Sequence, residues 1–457
     1  MTATGLTLLS RAAEPRSVSR LAASAAAVDG GVMSNQEVLA WLDGRRRAHA
    51  HRVERVPFAA LRDWAFDERT GDLRHASGRF FSVHGLRVRS DFGPVPAWSQ
   101  PIIRQPEIGL LGIALRDFDG VPHLLMQAKP EPGNVNGVQL SPTVQATKSN
   151  YSRVHGGSAV PYLRLFRRSD PRSVVADVLQ SEQGSWFLHK CNRNMIVEVG
   201  PEAEAGEDFA WLTLGQVNAL LRQDNLVNMD ARTVLSCLPD WRRDGMRRAL
   251  HADQEIRSWI TRRRAEHEVE VVPVGLAEVA GWHRTADEVA HERALYFKVV
   301  AVDVSSDRRE VPSWTQPLLE PYGTAVVALF VRRVDGVPHA LLRARAEPGF
   351  HNVVELGPTV QCMPENYAHL PAAGQPPYLA EALIRAEGAG FDVVLSEEGG
   401  RFRNAQSRYL IIEVGDDFPD PPDDFCWVTP CQLDELLRYN HQVNVQARTL
   451  VAALRTL

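Results

Sequence analysis

The feature that most constrains this 457-residue chain is an internal repeat. Trp98-Ser-Gln-Pro returns as Trp314-Thr-Gln-Pro, 216 residues later, and Asp119-Gly-Val-Pro-His123 returns as Asp335-Gly-Val-Pro-His339 at the same offset. Pro142-Thr-Val-Gln145 and Asn150-Tyr151 return as Pro358-Thr-Val-Gln361 and Asn366-Tyr367. Aligned without a gap, residues 98–151 and 314–367 are identical at 23 of 54 positions, which rules out coincidence. The likeness extends outward, from Gln36…Trp41 against Gln254…Trp259 to Ala231-Arg-Thr233 against Ala447-Arg-Thr449. So long a period, present twice, means paired domains and not a solenoid. The expected division is a disordered tail over residues 1–35, a first unit over 36–250 and a second over 251–457. Met33 offers an alternative start.

Composition narrows the function classes. A formal charge of −5 supplies no basic footprint for nucleic acid. No run approaches the ~18 apolar residues a membrane span requires. The five cysteines are scattered, with no C-x-x-C pair, so neither a disulfide framework nor a zinc knuckle is expected and a reducing cytoplasm is the expected location. Only four of the 51 basic residues are lysine, a bias of a GC-rich genome.

Within a unit the pattern mixes strands and helices. The apolar runs 108–116 and 123–129 flank Asp119-Gly120 and predict a hairpin. A Gly/Pro/Asn-rich loop over 130–137 leads to a predicted strand over 138–147. Residues 160–180 read as helix and 186–199 as strand. Thr213 reads as the cap of a helix running to Arg222. The expected class is α+β.

The order of elements, closing with Trp211-Leu-Thr213 and Trp427-Val-Thr429, resembles a Nudix-like α/β/α sandwich, which makes the fold two tandem copies of such a unit. The carboxylate-bearing helix R-E-x-x-E-E with which Nudix hydrolases hold Mg²⁺ is missing from both copies, and diphosphate hydrolysis is not expected. Longer strings carry a more specific resemblance. They include Trp98–Glu107 (WSQPIIRQPE), Leu125–Asn134 (LMQAKPEPGN), Val138–Thr147 (VQLSPTVQAT), Leu179–Gly184 (LQSEQG), Asn192–Met195 (NRNM) and Asp224–Thr233 (DNLVNMDART). In these the chain, from about residue 36, resembles the NDP-hexose 2,3-dehydratase family of deoxysugar and antibiotic biosynthesis. The resemblance implies a homodimeric lyase that removes water across C2–C3 of dTDP-4-keto-6-deoxy-D-glucose to give a 3,4-diketo-2,6-dideoxy sugar. A downstream NADPH-dependent 3-ketoreductase is the implied pathway partner. The competing reading is a catalytically inactive Nudix-like nucleotide-binding or scaffold module.

Such an elimination needs a base at C3, an acid for the departing hydroxide and donors facing O4. The substrate's own carbonyl is the electron sink, so no nicotinamide, pyridoxal phosphate or other cofactor is expected, and no metal. The candidate acid–base residues are Lys129, Glu131, Tyr151, His155 and Glu182. Each has a plainer alternative: a salt bridge for Lys129, a loop carboxylate for Glu131, a core phenol for Tyr151, a solvated imidazole for His155 and a helix-end carboxylate for Glu182. For binding, Trp98 offers an aromatic face for thymine, or is simply core. Arg104, Arg153 and Arg193 have the fork geometry for diphosphate, or sit on a solvated face. Gln127, Asn136, Gln139, Gln145, Asn150 and Asn194 either line a polar pocket or form a structural hydrogen-bond ladder. The second copy keeps a related set: Trp314, Arg345, Asn352, Gln361, Tyr367, Glu397 and Arg408. Its rim is rewritten, with Arg345 for Lys129, Phe350 for Asn134, Glu355 for Gln139 and Pro371 for His155. Arginine is effectively never deprotonated. The first copy is therefore expected to react and the second to be degenerate, binding nucleotide or serving structure.

Overall fold

The computed structural model describes residues 7–8, 15–151, 159–239, 248–307 and 311–457. Its frame is α+β in two copies, each built on a seven-stranded mixed sheet. In the first copy the strand order is Val174–Ser181, Cys191–Glu198, Gly109–Phe118, Val121–Pro130 and Phe209–Thr213. Val144–Ala146 and Val138–Ser141 pair onto the central hairpin. The second copy repeats these pairings with Phe391–Ser396, Gln406–Glu413, Ala325–Val334, Val337–Ala346 and Phe425–Val428.

Local sequence explains much of this. Asp119 and Gly120 have φ of 52° and 85°, and Asp335 and Gly336 have 48° and 79°, as a two-residue hairpin turn with right-handed strand twist demands. The run from Leu110 to Leu115 is buried throughout because both faces of its sheet are covered. Thr213 caps the helix Leu214–Leu221 reciprocally with Gln216, and Thr429 does the same with Gln432 for Pro430–Leu436. The helix expected over 160–180 is cut to Leu163–Arg167, and Val174–Ser181 is instead a strand antiparallel to Cys191–Glu198. Asp170-Pro171 ends the helical stretch, and Val174, Val175 and Val178 favour the pleated sheet.

The two copies are not independent. Strand His51–Val56 of the first copy pairs with Phe297–Ser306 of the second, and Val269–Val274 of the second pairs with Ser82–Ser90 of the first. Each copy thus lends its first strand to the other. The boundary expected near residue 250 divides the chain in sequence but not in space. A buried arginine pair ties the halves further. Arg232 donates to the Thr449 hydroxyl and the Ser396 carbonyl, while Arg448 donates to the Thr233 hydroxyl and the Ser181 carbonyl. Carbonyl and hydroxyl acceptors satisfy both guanidinium groups without a carboxylate partner.

The disordered tail expected over 1–35 is corrected by a helix, Pro15–Ala26. Its Leu21 is buried in the main core. The Ser24 hydroxyl donates to the Pro122 carbonyl and accepts from the Leu214 amide, and Arg20 pairs with Asp117 and Glu198. The alanine-rich stretch lacks a long apolar run but carries enough apolar surface to dock on the helix Leu214–Leu221 and the strand beside it.

Candidate active site

The glycine of each Glu-Pro-Gly loop decides where the sites form. The Gly133 amide donates to the Gly399 carbonyl, and the Gly349 amide donates to the Gly184 carbonyl. A Cβ at Gly133 would lie 1.6 Å from the Phe402 carbonyl oxygen, and one at Gly349 1.7 Å from that of Phe187. Only glycine permits this approach. The Glu-Pro-Gly loop of each copy therefore docks on the Ser-Glu-x-Gly turn of the other, which sets Glu131 beside Glu398 and Glu347 beside Gln183.

Two cavities result, each walled by both copies. The smaller, of about 320 Å³, brings together Lys129, Glu131, Gln145, Asn150, Glu182, Lys190, Asn192 and Asp230 with Trp314, Gln316, Glu398 and Arg401. Trp64, Phe80 and Phe81 add an aromatic wall. Strand Val121–Pro130 and its loop present Lys129 and Glu131, the end of strand Val174–Ser181 presents Glu182, and helix Met229–Leu235 presents Asp230. The larger, of about 810 Å³, holds Trp98, Gln183, Arg343, Arg345, Glu347, Gln361, Tyr367, Glu397 and Gln446.

The smaller cavity is dense in buried ionisable groups. Glu131 accepts from Gln145 Nε2 at 2.6 Å and from Asn228 Nδ2 at 3.4 Å. Lys129 Nζ donates to the Gln145 carbonyl at 2.8 Å. Lys190 Nζ donates to Asn192 Oδ1 at 2.7 Å and to the Glu107 carbonyl at 2.6 Å, and Asn192 donates to Glu182. Arg401 lies over the Phe81 ring, 4.3 Å from its centroid, and donates to Gln105. Burial, reinforced by the charges of Glu182, Glu398 and Glu131, holds the Asp230 carboxyl well above the ordinary carboxylate range. Burial and Glu131 push Glu398 up to about 8. Burial raises Glu182 as well, against the pull of Lys190, and lowers the Lys190 ammonium. Glu131, Asp230 and Glu398 place a carboxylate oxygen each within 4.8 Å of one another. Hard-cation ligands have this chemistry, and a cation there would compete with the protons that burial and mutual repulsion favour on Asp230 and Glu398.

Of the residues singled out in the sequence, Lys129, Glu131, Gln145, Asn150 and Glu182 line the smaller cavity. Trp98 and Trp314 are crossed: strand Ala97–Arg104 carries Trp98 to the larger cavity, and strand Ser313–Pro321 carries Trp314 to the smaller. Arg345, Gln361, Tyr367 and Glu397 line the larger cavity, as placement in the second copy implied. The remainder among the described residues line neither. Arg193 and Arg408 form exposed two-pronged ion pairs with Asp177 and Asp392. Gln139 is buried between the copies, donating to Ser396 and Asn136, and Asn194 donates to Thr233. Arg104, Asn136 and Asn352 are exposed, and Gln127 sits in its sheet opposite Phe209 and Ser141. Arg153, His155 and the side chain of Tyr151 lie outside the described residues.

The sequence reading missed Asp230, Lys190, Glu398 and Arg401. A signal was present: the other copy carries Gln446, Ala405, Gln183 and Trp186 at these positions. Two of the four come from the second copy, and pairwise alignment cannot show that they face the first.

The sequence profile described as NDP-hexose 2,3-dehydratase matches residues 35–238 and again 253–454. A protein of Amycolatopsis orientalis named dTDP-4-dehydro-6-deoxy-alpha-D-glucopyranose 2,3-dehydratase is 51% identical over 446 residues, covering 95% of this chain and 93% of its own. Proteins of the same name from Saccharopolyspora spinosa and Streptomyces violaceoruber are 47% identical (96% and 95% covered) and 50% identical (92% and 96% covered).

Proposed function

The chain belongs to the NDP-hexose 2,3-dehydratase family, and from that premise we propose that it removes water across C2–C3 of dTDP-4-keto-6-deoxy-D-glucose, giving dTDP-3,4-diketo-2,6-dideoxy-D-glucose, in the smaller cavity. The observation that carries this reading is a set of buried polar atoms there. Gln105 Nε2, Glu182 Oε2, Asp230 Oδ1 and Glu398 Oε2 have no hydrogen-bond partner among the described residues. Unsatisfied buried groups are costly, and a hydroxyl-rich sugar satisfies them.

In this reading Glu131, oriented by Gln145 and Asn228, takes the C3 proton. The electron pair moves to O4, where the Lys129 ammonium stabilises the enolate. Return of the pair expels the C2 hydroxyl, to which the protonated Asp230 carboxyl gives its proton, and water leaves. The enol left at C3 tautomerises to the ketone with protonation at C2. Glu182 raises the proton affinity of Asp230 by its proximity. The aromatic wall of Trp64 and Trp314 takes the thymine ring. The larger cavity binds nucleotide or serves structure only. No hydride moves and the substrate carries its own electron sink, so the reaction runs without organic cofactor or metal. Exhaustive EDTA treatment that abolished turnover, with Mg²⁺ or Zn²⁺ restoring it, would overturn that point.

The 3,4-diketone is labile, which favours direct use by an NADPH-dependent 3-ketoreductase. A homodimer and a cytoplasmic location complete the reading; sedimentation and fractionation test them. No helix among the described residues is long and apolar enough to cross a membrane.

The deciding experiment incubates the protein with dTDP-4-keto-6-deoxy-D-glucose, a 3-ketoreductase and NADPH, and follows NADPH loss alongside solvent deuterium uptake at C3. Asp230→Asn is expected to keep C3 exchange while losing elimination, and Glu131→Gln to lose both. Wild-type protein that forms no diketone refutes the reaction. Exchange that persists in Glu131→Gln refutes its role as base.

A further inference from the structure

Behind the wall of the smaller cavity, three side chains distant in sequence meet between the copies. Cys191 begins strand Cys191–Glu198 of the first copy. His351 follows the Glu-Pro-Gly loop of the second copy, and His441 lies in the turn before its last helix, Val445–Leu454. The Cys191 Sγ and one ring nitrogen of each histidine all lie within 4.8 Å of one another. We propose that Cys191, His351 and His441 form a binding site for one borderline-soft transition-metal ion, zinc being the cation this donor set fits, which fastens the two copies together.

Three observations support it. The donors are one thiol and two imidazoles, the set that selects Zn²⁺ and its first-row neighbours over Mg²⁺ or Ca²⁺. His441 Nδ1 is buried with no hydrogen-bond partner among the described residues, and a ligated ion satisfies it. The third observation is internal to the duplication. The equivalent positions carry Gln406, Val135 and Asn225, so the same backbone is built once with three ligands and once with none suited to this ion. Packing of the fold does not by itself demand the ligating residues.

Histidine stacking alone is the competing account. The His351 ring lies 5.1 Å from that of His189 and 4.9 Å from that of His441. It leaves Cys191 unexplained. Burial, with the His351 and nearby arginine charges, lowers His441 to about 4, so at neutral pH its ring is uncharged and ready to ligate. Burial raises the Cys191 thiol, and loss of its proton accompanies metal binding. Three protein ligands leave the fourth tetrahedral position to water. The site stands one residue from Lys190, whose ammonium also donates to the Cys191 carbonyl at 3.1 Å. An ion there secures the start of strand Cys191–Glu198, which lies between Val174–Ser181 and Gly109–Phe118 and contributes Asn192 to the smaller cavity's wall. This inference does not depend on the proposed reaction.

The test uses the full chain without an affinity tag, stripped of metal and titrated with Co²⁺. One Co²⁺ per chain is expected, with a thiolate-to-cobalt charge-transfer band and competition by Zn²⁺. Cys191→Ser removes the band. His351→Asn and His441→Asn each weaken binding ~100-fold or more, while His283→Asn, on the exposed strand Trp282–Arg284, leaves it unchanged. Zn²⁺ raises the Tm of the wild type and not of Cys191→Ser, since an ion that binds only the folded state stabilises it. Circular dichroism confirms that each variant is folded. Absence of the band, its survival in Cys191→Ser, or undiminished binding in both histidine variants overturns the proposal.

Discussion

The two cavities share one backbone plan and differ in how their carboxylates are satisfied. In the larger, Glu397 accepts hydrogen bonds from Gln183, Ser407 and Tyr409, and Glu347 accepts from both Arg345 and Gln361 at one oxygen. In the smaller, Glu182 accepts from Asn192 alone and keeps its second oxygen unpartnered among the described residues. Glu131 is held by amides and not by an arginine. Asp230 and Glu398 stand where the larger cavity has the amides Gln446 and Gln183. The larger cavity satisfies Glu397 fully and leaves one oxygen of Glu347 and the amide oxygens of Gln183 and Gln446 unpartnered among the described residues. The smaller leaves an oxygen open on each of three buried carboxyls, Glu182, Asp230 and Glu398, at a cost in stability, for a ligand to complete.

The largest test of this contrast is a matched pair at the shared glutamate. Glu131→Gln is expected to lower kcat by ~10²–10⁴-fold, the usual contribution of a positioned acid or base. Glu347→Gln should leave kcat within about threefold, because that carboxylate is engaged by Arg345. Comparable losses in the coupled NADPH assay would show that both cavities react.

A second pair makes each cavity imitate the other. Lys129→Arg introduces a guanidinium able to pair with Glu131 as Arg345 pairs with Glu347, and kcat should fall ~10–100-fold. Arg345→Lys should change kcat less than about twofold. Equal effects from the two exchanges would remove the asymmetry.

The crossing of the tryptophans predicts a smaller effect, on binding and not on the chemical step. Trp314→Ala, although in the second copy's sequence, should raise KM ~10-fold with kcat nearly unchanged, in line with the loss of one base–aromatic stack. Trp98→Ala should leave KM within about twofold. The opposite pattern would mean that each copy binds with its own tryptophan.

The smallest expected change is in the pH profile. Glu398 has its carboxyl raised to about 8 by burial and Glu131, so it is neutral at pH 7 and ionises as pH rises. Its new charge opposes the negative charge developing at O4 and the substrate's diphosphate, against Arg401 and Lys129, and kcat/KM should fall on the alkaline side near pH 8. Glu398→Gln, which copies Gln183, should flatten that limb with kcat within about threefold at pH 7. The stability sign follows the same group. Its folded pKa lies above its ordinary value of 4.5, so its contribution weakens as pH rises from that value toward 8 and is constant beyond. Denaturant midpoints at pH 5 and pH 8 should therefore converge in Glu398→Gln relative to wild type.

Sequence alone determined the duplication, the hairpins at Asp119-Gly120 and Asp335-Gly336, the threonine-capped helices and the family resemblance, because each rests on short-range patterns or on direct comparison of strings. It also picked out Lys129, Glu131, Gln145, Asn150 and Glu182, whose strand and loop positions are local. It misjudged Val174–Ser181, where sheet pairing outweighed an apparent helical pattern, and the segment Pro15–Ala26, whose order comes from docking onto the helix Leu214–Leu221 and its neighbouring strand. Only the tertiary structure decided which residues share a cavity. The exchange of His51–Val56 and Val269–Val274, and the docking of each Glu-Pro-Gly loop on the opposite turn, join positions distant in sequence. That is why Glu398, Arg401 and Trp314 face the first copy's carboxylates, and why Cys191 meets His351 and His441. Contacts made across the pseudo-symmetric interface leave no period or spacing in the chain, since they are fixed by backbone approach at glycines and by burial.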